Sequence, residues 1–382
     1  MKNIIIYGDG IIGKLAAIVL SDYFDVYLIS RKKYINSNIE ENRYFSINLL
    51  SKFMFMKYGL WDLIKQNEII AYNEIITWHE SLNEDVIFKS SDICFDHLAY
   101  VINEKVIRKA LDIIFKTKSN VFHLDIDDED KAKSLKCEFL INSSYLKNDI
   151  TNYDKFNFDK IDYGQKAIVM NLVCDPDIKK SIALQRFDKG QIQGLLPISK
   201  NQYNLIWSAD TSIINTVMKH DDNKLLKIMN NHFEEKIGKV IALSSRSIFP
   251  LLGFNAKKYF VDNSILIGGA AHSVHPMAGL GLNMGIQDIY TLNRLFQNKD
   301  TIESTLRIYE KSCVKDNTIF FKTINLLIGF YTGVKIPDLL RAKSLFLFNE
   351  NKILKQKSIE IATGLTALKL QSRDEYCKPS YK

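Results

Sequence analysis

Two glycine turns, one near each end of the chain, constrain this sequence more than any other feature. The first lies in "NIIIYGDGIIGKLAAIVLSDYFDVYLIS", residues 3–30, and the second in "ILIGGAAHSVHPMAGLGLNMGIQD", residues 265–288. Each separates a strand-like apolar run from a helical pattern. In the first, Ile4, Ile5 and Ile6 form a short all-apolar strand suited to a parallel sheet covered on both faces. Gly8, Gly10 and Gly13 then follow at GxGxxG spacing. The first glycine permits a tight turn, the second lets backbone approach a pyrophosphate, and the third lets helix and strand pack closely. Residues 11–20 supply the helix, whose free N–H groups suit a phosphate. Placement between strand and helix turns a weak spacing into a dinucleotide-binding expectation, with a purely structural turn as the alternative. The second strand, Val26 to Ile29, should deliver an acidic residue to a ribose, yet it delivers Ser30 and Arg31. Serine lacks the charge that makes such a bond strong. Arg31 suits either a ribose 2′-phosphate or ordinary surface placement.

The second turn starts from a strand over Ser264 to Ile267 and runs through Gly268 and Gly269 into a helix beginning near Leu282 or Asn283. Ile286, Ile289, Tyr290 and Leu292 to Leu295 are its buried-face candidates. Gly279, Gly281 and Gly285 clear space at its N-terminus, where backbone N–H groups suit the partly negative edge of a planar ring. His272 and His275 lie on a loop without Asp or Glu at metal-ligand spacing, so no metal site is expected. Packing beneath a ligand with local hydrogen bonds is their expected role; direct proton chemistry is the alternative.

The rest of the composition narrows the setting. The chain has 382 residues, 46% hydrophobic and 25% charged, which is the make-up of a folded domain or two. Its net charge of +7 comes without an arginine-rich block, so nucleic acid is not expected, while an anionic cofactor or membrane surface fits. The five cysteines are scattered and contain no CxxC pair, which argues against a disulfide framework or a zinc site. "MKNIIIYGDG" does not read as a signal peptide, and no apolar run reaches the roughly 18 residues of a spanning helix. A reducing, cytoplasmic setting is the expectation.

With both turns in place, the chain resembles the class A flavoprotein aromatic hydroxylases, in particular the branch that hydroxylates polyprenyl phenols in ubiquinone biosynthesis. The most discriminating residues are His272, Pro276, Gly279, Gly281 and Asn283, within "HSVHPMAGLGLN". "ENRYFSINLLSKFMFMKYGLWDLI", "YVINEKVIRKAL", "YGQKAIVMNLV", "QRFDKGQIQGLLPI" and "LRAKSLFLFNENKILKQKSIEIATGL" resemble further family segments in order, so the likeness covers nearly the whole chain. It implies an α/β fold: a Rossmann-like FAD-binding domain with an inserted, mostly antiparallel sheet domain and a helical C-terminal segment. It implies FAD as cofactor, with Gly8, Gly10, Gly13, Ser30, Arg43, Gly269, His272, Pro276, Gly279, Leu280, Gly281, Leu282 and Asn283 around it. Arg43 falls where the family's arginine reaches the flavin diphosphate. O2 and NAD(P)H are the implied co-reactants, and a hydrophobic polyprenylated phenol the implied substrate. No side chain is marked as a catalytic acid or base, since the cofactor carries the oxygen chemistry.

The sequence departs from the family at three polar contacts. Ser30 replaces the acid at the end of the second strand. Asn142, Ser143 and Ser144 stand where an Ala-Asp-Gly turn is usual, and Gly269 stands where the family's Gly-Asp-Ala-Ala-His carries its aspartate. Each loss removes about 1–3 kcal/mol of charge-assisted bonding. A non-catalytic scaffold of the same pathway, with weak or no FAD binding, is therefore the alternative function.

The expected domains are residues 1–160 with 255–320 for FAD, with some sheet-domain segments interleaved, 161–254 for substrate, a helical segment over 321–370 and a loose tail over 371–382. The middle domain shows strand runs Ala167 to Cys174, Ile182 to Phe187, Gln191 to Leu196 and Tyr203 to Trp207, then one helix from Ile213 to Glu235. "ALSSRSIFPLLGF" returns to the sheet and crosses the pocket. Arg186 and Gln193 are expected to be solvent-exposed, with a sheet face near substrate as the alternative. Phe320, Phe321, Ile324, Leu327, Ile328 and Phe330 form an apolar surface beside Lys322, broken at Pro337. A helical cover on the first domain is one reading. The other is a face for the inner surface of a membrane or for a biosynthetic assembly.

Overall fold

The structure, a computed structural model, describes residues 2–30, 43–82, 85–125, 136–143, 153–175, 181–298, 300–332 and 336–369. Arg31, Ser144 and the tail over 371–382 lie outside the described residues.

Both ends of the chain build the first sheet. Numbered along the chain, its strands are β1 (Asn3–Tyr7), β2 (Asp25–Ser30), β8 (Val121–Asp125), β9 (Phe139–Asn142), β16 (Phe260–Val261) and β17 (Ser264–Leu266). They lie in the order β16-β17-β9-β1-β2-β8, and every neighbouring pair except β16 with β17 is parallel. Ile4, Ile5 and Ile6 are buried, as a doubly covered strand requires. Because β17 and β1 run parallel with only β9 between them, both glycine turns emerge from the same edge of the sheet. Helices α1 (Ile11–Leu20) and α6 (Gly281–Gln297) start at those turns.

The second sheet holds β5 (Glu74–His79), β6 (Val86–Lys89), β10 (Phe158–Asp175), β11 (Ile182–Asp188), β12 (Gln191–Ser199), β13 (Gln202–Asp210), β14 (Lys239–Leu243), β15 (Ser247–Ala256) and β18 (His272–Ser273). Their order is β18-β15-β10-β13-β12-β11-β5-β6, with β14 paired to β10, and only β11 with β5 is parallel. The two residues of β18 belong to the second glycine turn, so His272 and Ser273 join that turn to β15. A third sheet, β3 (Tyr44–Asn48), β4 (Ile70–Tyr72) and β7 (Ala99–Asn103), lies in the order β3-β7-β4.

Period-two alternation decides what each side of the second sheet does. Ile168, Met170 and Leu172 of β10, with Tyr203, Leu205 and Trp207 of β13, pack in one core with Leu225, Met229 and Phe233 of α5 (Asp222–Ile237). Ala167 and Val169, with Asn204 and Ile206, face the other way. The single helix expected over 213–235 is two, α4 (Thr211–Met218) and α5, because Asp221 accepts from Lys224 N at 2.7 Å and caps a fresh start.

The remaining helices are α2 (Leu49–Lys57), α3 (Glu104–Thr117), α7 (Ile302–Thr332), α8 (Asp338–Glu350), α9 (Lys352–Ala362) and α10 (Leu365–Lys369). Helix α7 runs through the boundary placed at residue 320, and β5 and β6 carry the second sheet back into the first hundred residues. Phe321, Ile324 and Ile328 are buried, and Ile324 and Ile328 pack with Phe187 of β11 and Ile192 of β12, so this part of the apolar surface covers the second sheet and not the first domain as expected. Leu326 is 73% exposed on the same helix, and Leu347 and Ile353 are each 67% exposed beyond Pro337. No helix among the described residues is long and apolar enough to cross a membrane.

Candidate active site

One cavity of about 590 Å3 opens where the first sheet's turns meet the bare face of the second sheet. Gly8, Gly10, Gly13 and Arg43 line it from the N-terminal side, and Gly269, His272, Pro276, Gly279, Leu280, Gly281 and Leu282 from the other. Ala167, Val169, Leu196, Ile206, Phe249 and Leu251 give it an apolar wall, with Asn204 and Ser247 among them. Eleven of the thirteen residues expected around the cofactor thus share one surface.

The glycines serve two distinct purposes. A Cβ on Gly10, Gly269 or Gly281 would meet nothing within 4 Å, so these positions keep open space beside bare backbone. A Cβ on Gly13 would stand 1.7 Å from Gly8 O and 2.7 Å from Ser143 Oγ, which makes this glycine a packing requirement. Ser143 Oγ donates to Tyr7 O at 2.8 Å and so closes the back of that turn. Gly285 makes room for Ile12, whose Cδ1 lies 2.7 Å from the ideal Cβ position, and so serves helix packing instead of a ligand. The N-terminal N–H groups of α1 and α6 have no partners within their helices, and neither first turn carries an acid.

Two expected residues stand outside the lining. Ser30 ends β2 beside Asp125 of β8, to whose Oδ1 its hydroxyl donates at 3.4 Å. Among the described residues, the carboxylate that meets Ser30 therefore comes from the neighbouring strand. Asn283 is buried and turned toward β3 and α2: its Nδ2 donates to Ser46 O at 2.7 Å, and its Oδ1 accepts from Asn48 N at 3.1 Å and Ser51 Oγ at 2.8 Å. Both side-chain atoms are engaged on β3 and α2, so the side chain fixes the start of α6. Arg186 and Gln193 correct both readings made of them. They are buried on the helix-covered face, where Arg186 NH1 donates to Gln193 Oε1 at 3.0 Å and Arg186 Nε to Glu80 Oε2 at 2.7 Å.

A buried acid two helical turns further on braces the second turn from outside the cavity lining. Asp288 of α6 is buried, and its Oδ2 accepts from Gly268 N at 2.9 Å and lies 2.8 Å from His272 Nε2. Its Oδ1 accepts from Asn317 Nδ2 of α7 at 3.1 Å. Asn317 also donates to Tyr259 OH at 3.1 Å. Burial first, and the Asp288 carboxylate second, push Tyr259 and Tyr309 well above the usual phenol range, so both remain protonated. Asp288 is thus the anchor of the turn, and His272 is committed to it. An acid standing among apolar buried-face positions of "GIQDIYTL" was the available signal.

His275 is held separately. Its Nδ1 accepts from Met277 N at 3.1 Å, so the proton resides on Nε2, which donates to Gln165 Oε1 at 3.1 Å. Burial lowers its pKa to about 4. A folded pKa below the unfolded value of about 6.5 means that the unfolded chain binds the extra proton first. The contribution is complete above about pH 6.5 and is lost as pH falls toward 4. Acidification from pH 7 to pH 5 should cost about 2 kcal/mol through this residue alone. Urea unfolding at both pH values checks this: His275→Gln should reduce the loss by that amount, and an unchanged loss would count against it.

A family model described as an FAD binding domain matches residues 126–313. The 3-demethoxyubiquinol 3-hydroxylase of Escherichia coli (strain K12) is 23% identical, with 95% of this chain and 98% of that protein covered. The human mitochondrial ubiquinone biosynthesis monooxygenase COQ6 is also 23% identical, with 94% of this chain and 92% of that protein covered. Among solved structures, PqsL of Pseudomonas aeruginosa in complex with 2-aminobenzoylacetate superposes with a TM-score of 0.72 at 18% identity. The match covers 90% of this chain and 99% of PqsL, a likeness of fold.

Proposed function

Because this chain belongs to the FAD-binding aromatic monooxygenases, close to their ubiquinone-hydroxylase branch, we propose that it hydroxylates the ring of a hydrophobic, polyprenylated phenol with O2. The observation that carries this reading is the single cavity shared by both glycine turns and an apolar sheet face. The dinucleotide fits along bare backbone at Gly10 and Gly281, where no side chain stands within contact of the ideal Cβ positions. In this reading Ser30, backed by Asp125, serves the ribose end from beyond the lining, and Arg43 serves the diphosphate. The Gly279 to Leu282 backbone stands toward the flavin ring. Bound FAD supplies oxygen activation and transfer, with NAD(P)H as the electron source.

The chain's own part is position and dryness. Ala167, Val169, Leu196, Ile206, Phe249 and Leu251 exclude water from the reacting ring, which strengthens every polar contact inside. Asn204 and Ser247 are the polar groups of that wall, and they suit a neutral phenol hydroxyl. None of the lining residues from β10, β12, β13 and β15 is titratable, so that wall offers the substrate no acid or base. A second reading, a non-catalytic pathway subunit, draws on the absence of a carboxylate at Gly269 and Ser30.

Cells lacking a ring hydroxylase of ubiquinone synthesis separate the two. Expression of this chain should restore the hydroxylated intermediate, followed by mass. Gly10→Leu and Gly281→Leu should abolish that restoration, whereas restoration that survives both changes would leave only the scaffold.

The exposed apolar residues Leu326, Leu347 and Ile353, with Lys322, Lys352 and Lys355 nearby in sequence, suit an anionic membrane surface through which such a substrate would arrive. In flotation, the protein should rise with anionic liposomes at low salt and less at high salt. Recovery only in the lipid-free fraction would contradict that docking.

A further inference from the structure

Arg43 has a second arginine beside it. Glu104, buried in the first turn of α3, lies 3.2 Å from Arg43 NH1 through its Oε2. Its Oε1 accepts from Arg108 Nε at 2.8 Å and lies 2.7 Å from Arg108 NH2. The Glu104 N–H also donates to Arg43 O at 2.9 Å, so backbone and side chain register the same pair of elements. Arg43, Glu104 and Arg108 all line the cavity on the side of Gly10 and Ile11. One helical turn beyond Arg108, Asp112 pairs with Lys14 of α1, which keeps this face of α3 turned toward the start of α1.

Charge decides what the second arginine is for. Asp9 of the first turn also lines the cavity. With Arg43 alone, Asp9 and Glu104 would leave this end of the cavity at a net negative charge, hostile to a diphosphate. Arg108 cancels that excess, and the N-terminus of α1, worth roughly half a positive charge, then tips the balance toward an anion. Each arginine has more donors than one carboxylate can accept, and Arg108 spends only its Nε and NH2 on Glu104. We propose that Arg43 and Arg108 form a two-arginine clamp for the cofactor's diphosphate, with Glu104 as the positioning residue that holds both guanidinium groups at the cavity wall. The clamp rests on the FAD reading given above, and it supplies attraction at the diphosphate where the chain lacks carboxylate contacts elsewhere.

FAD titration of the apoprotein, followed by quenching of flavin fluorescence at low and high salt, tests the clamp alongside the melting temperature without FAD. Arg108→Gln should weaken FAD about ten- to a hundred-fold at low salt and flatten its salt dependence, with little change in the FAD-free melting temperature. Arg108→Lys should fall between, as a point charge lacking the fork geometry. Glu104→Gln is the sharper arm. Removing a negative charge from an anion site should tighten binding, but loss of a positioning residue should weaken it, and weakening is the result expected here. Arg108→Gln binding FAD as the unaltered protein does would overturn the clamp while leaving the cofactor reading intact. A loss equal at both salts and matched by a lower melting temperature would also overturn it. An unaltered protein that takes up no FAD would sink the reading and the clamp together.

Discussion

Asp288→Ala is expected to cost about 3–5 kcal/mol of stability, since each buried donor left without its acceptor costs about 1–3 kcal/mol. Three buried donors, Gly268 N, His272 Nε2 and Asn317 Nδ2, would lose their acceptor at once. Asn317 sits on α7, so the damage should reach beyond the turn to the packing of that helix on the cavity's rear. Asp288→Asn keeps the shape but replaces one acceptor oxygen by a donor, and it should recover only part of the loss. Denaturant unfolding measures both. A cost below about 1 kcal/mol for the alanine variant would remove Asp288 as anchor of the turn.

The second large effect contrasts glycines that look alike in sequence. Gly10→Leu and Gly281→Leu should lower FAD affinity by more than about a hundred-fold, since each fills cavity space with side-chain carbon. Neither should unfold the chain, because a Cβ at these two positions meets nothing within 4 Å. Gly13→Ala should do the reverse. Its Cβ would collide with Gly8 O at 1.7 Å, so strand and helix must separate and stability should fall before binding is even in question. Melting curves and FAD titrations on the three variants read the two effects apart. Equal melting losses for all three would contradict the division.

The parts of this fold that the sequence revealed are those written in local spacing. The GxGxxG residues, the bare stretch around Gly281 and the alternating runs of the middle sheet each depend on neighbours a few residues away. Asp288 escaped notice because its partner, Gly268, is reached only after the helix has turned twice and the loop has folded back. Arg186 and Gln193 were legible as face residues, since period two fixes which side chains share a side. Which side α5 would cover is a tertiary fact, and it decided their burial. The pairing of β5 with β11 joins residues more than a hundred positions apart, for which no local pattern exists. Arg108 carries no local signal of its own, and only the approach of α3 to α1 gives it a place at the cavity. The three positions that lack the family's acids are read directly from the sequence, whereas Asp288 bracing the second turn and Asp125 beside Ser30 are contacts between distant elements.

The central claim is that this cavity still holds FAD despite its altered polar contacts, and one titration addresses it directly. Purified protein should show flavin absorbance bands, or, if colourless, should quench the fluorescence of added FAD with saturation below about 100 µM, which corresponds to at least about 5.5 kcal/mol of binding. Gly281→Leu should remove that saturation while keeping the melting curve. Protein that is colourless and leaves FAD fluorescence unchanged up to that concentration would contradict the account and leave a flavoprotein fold put to a non-catalytic use.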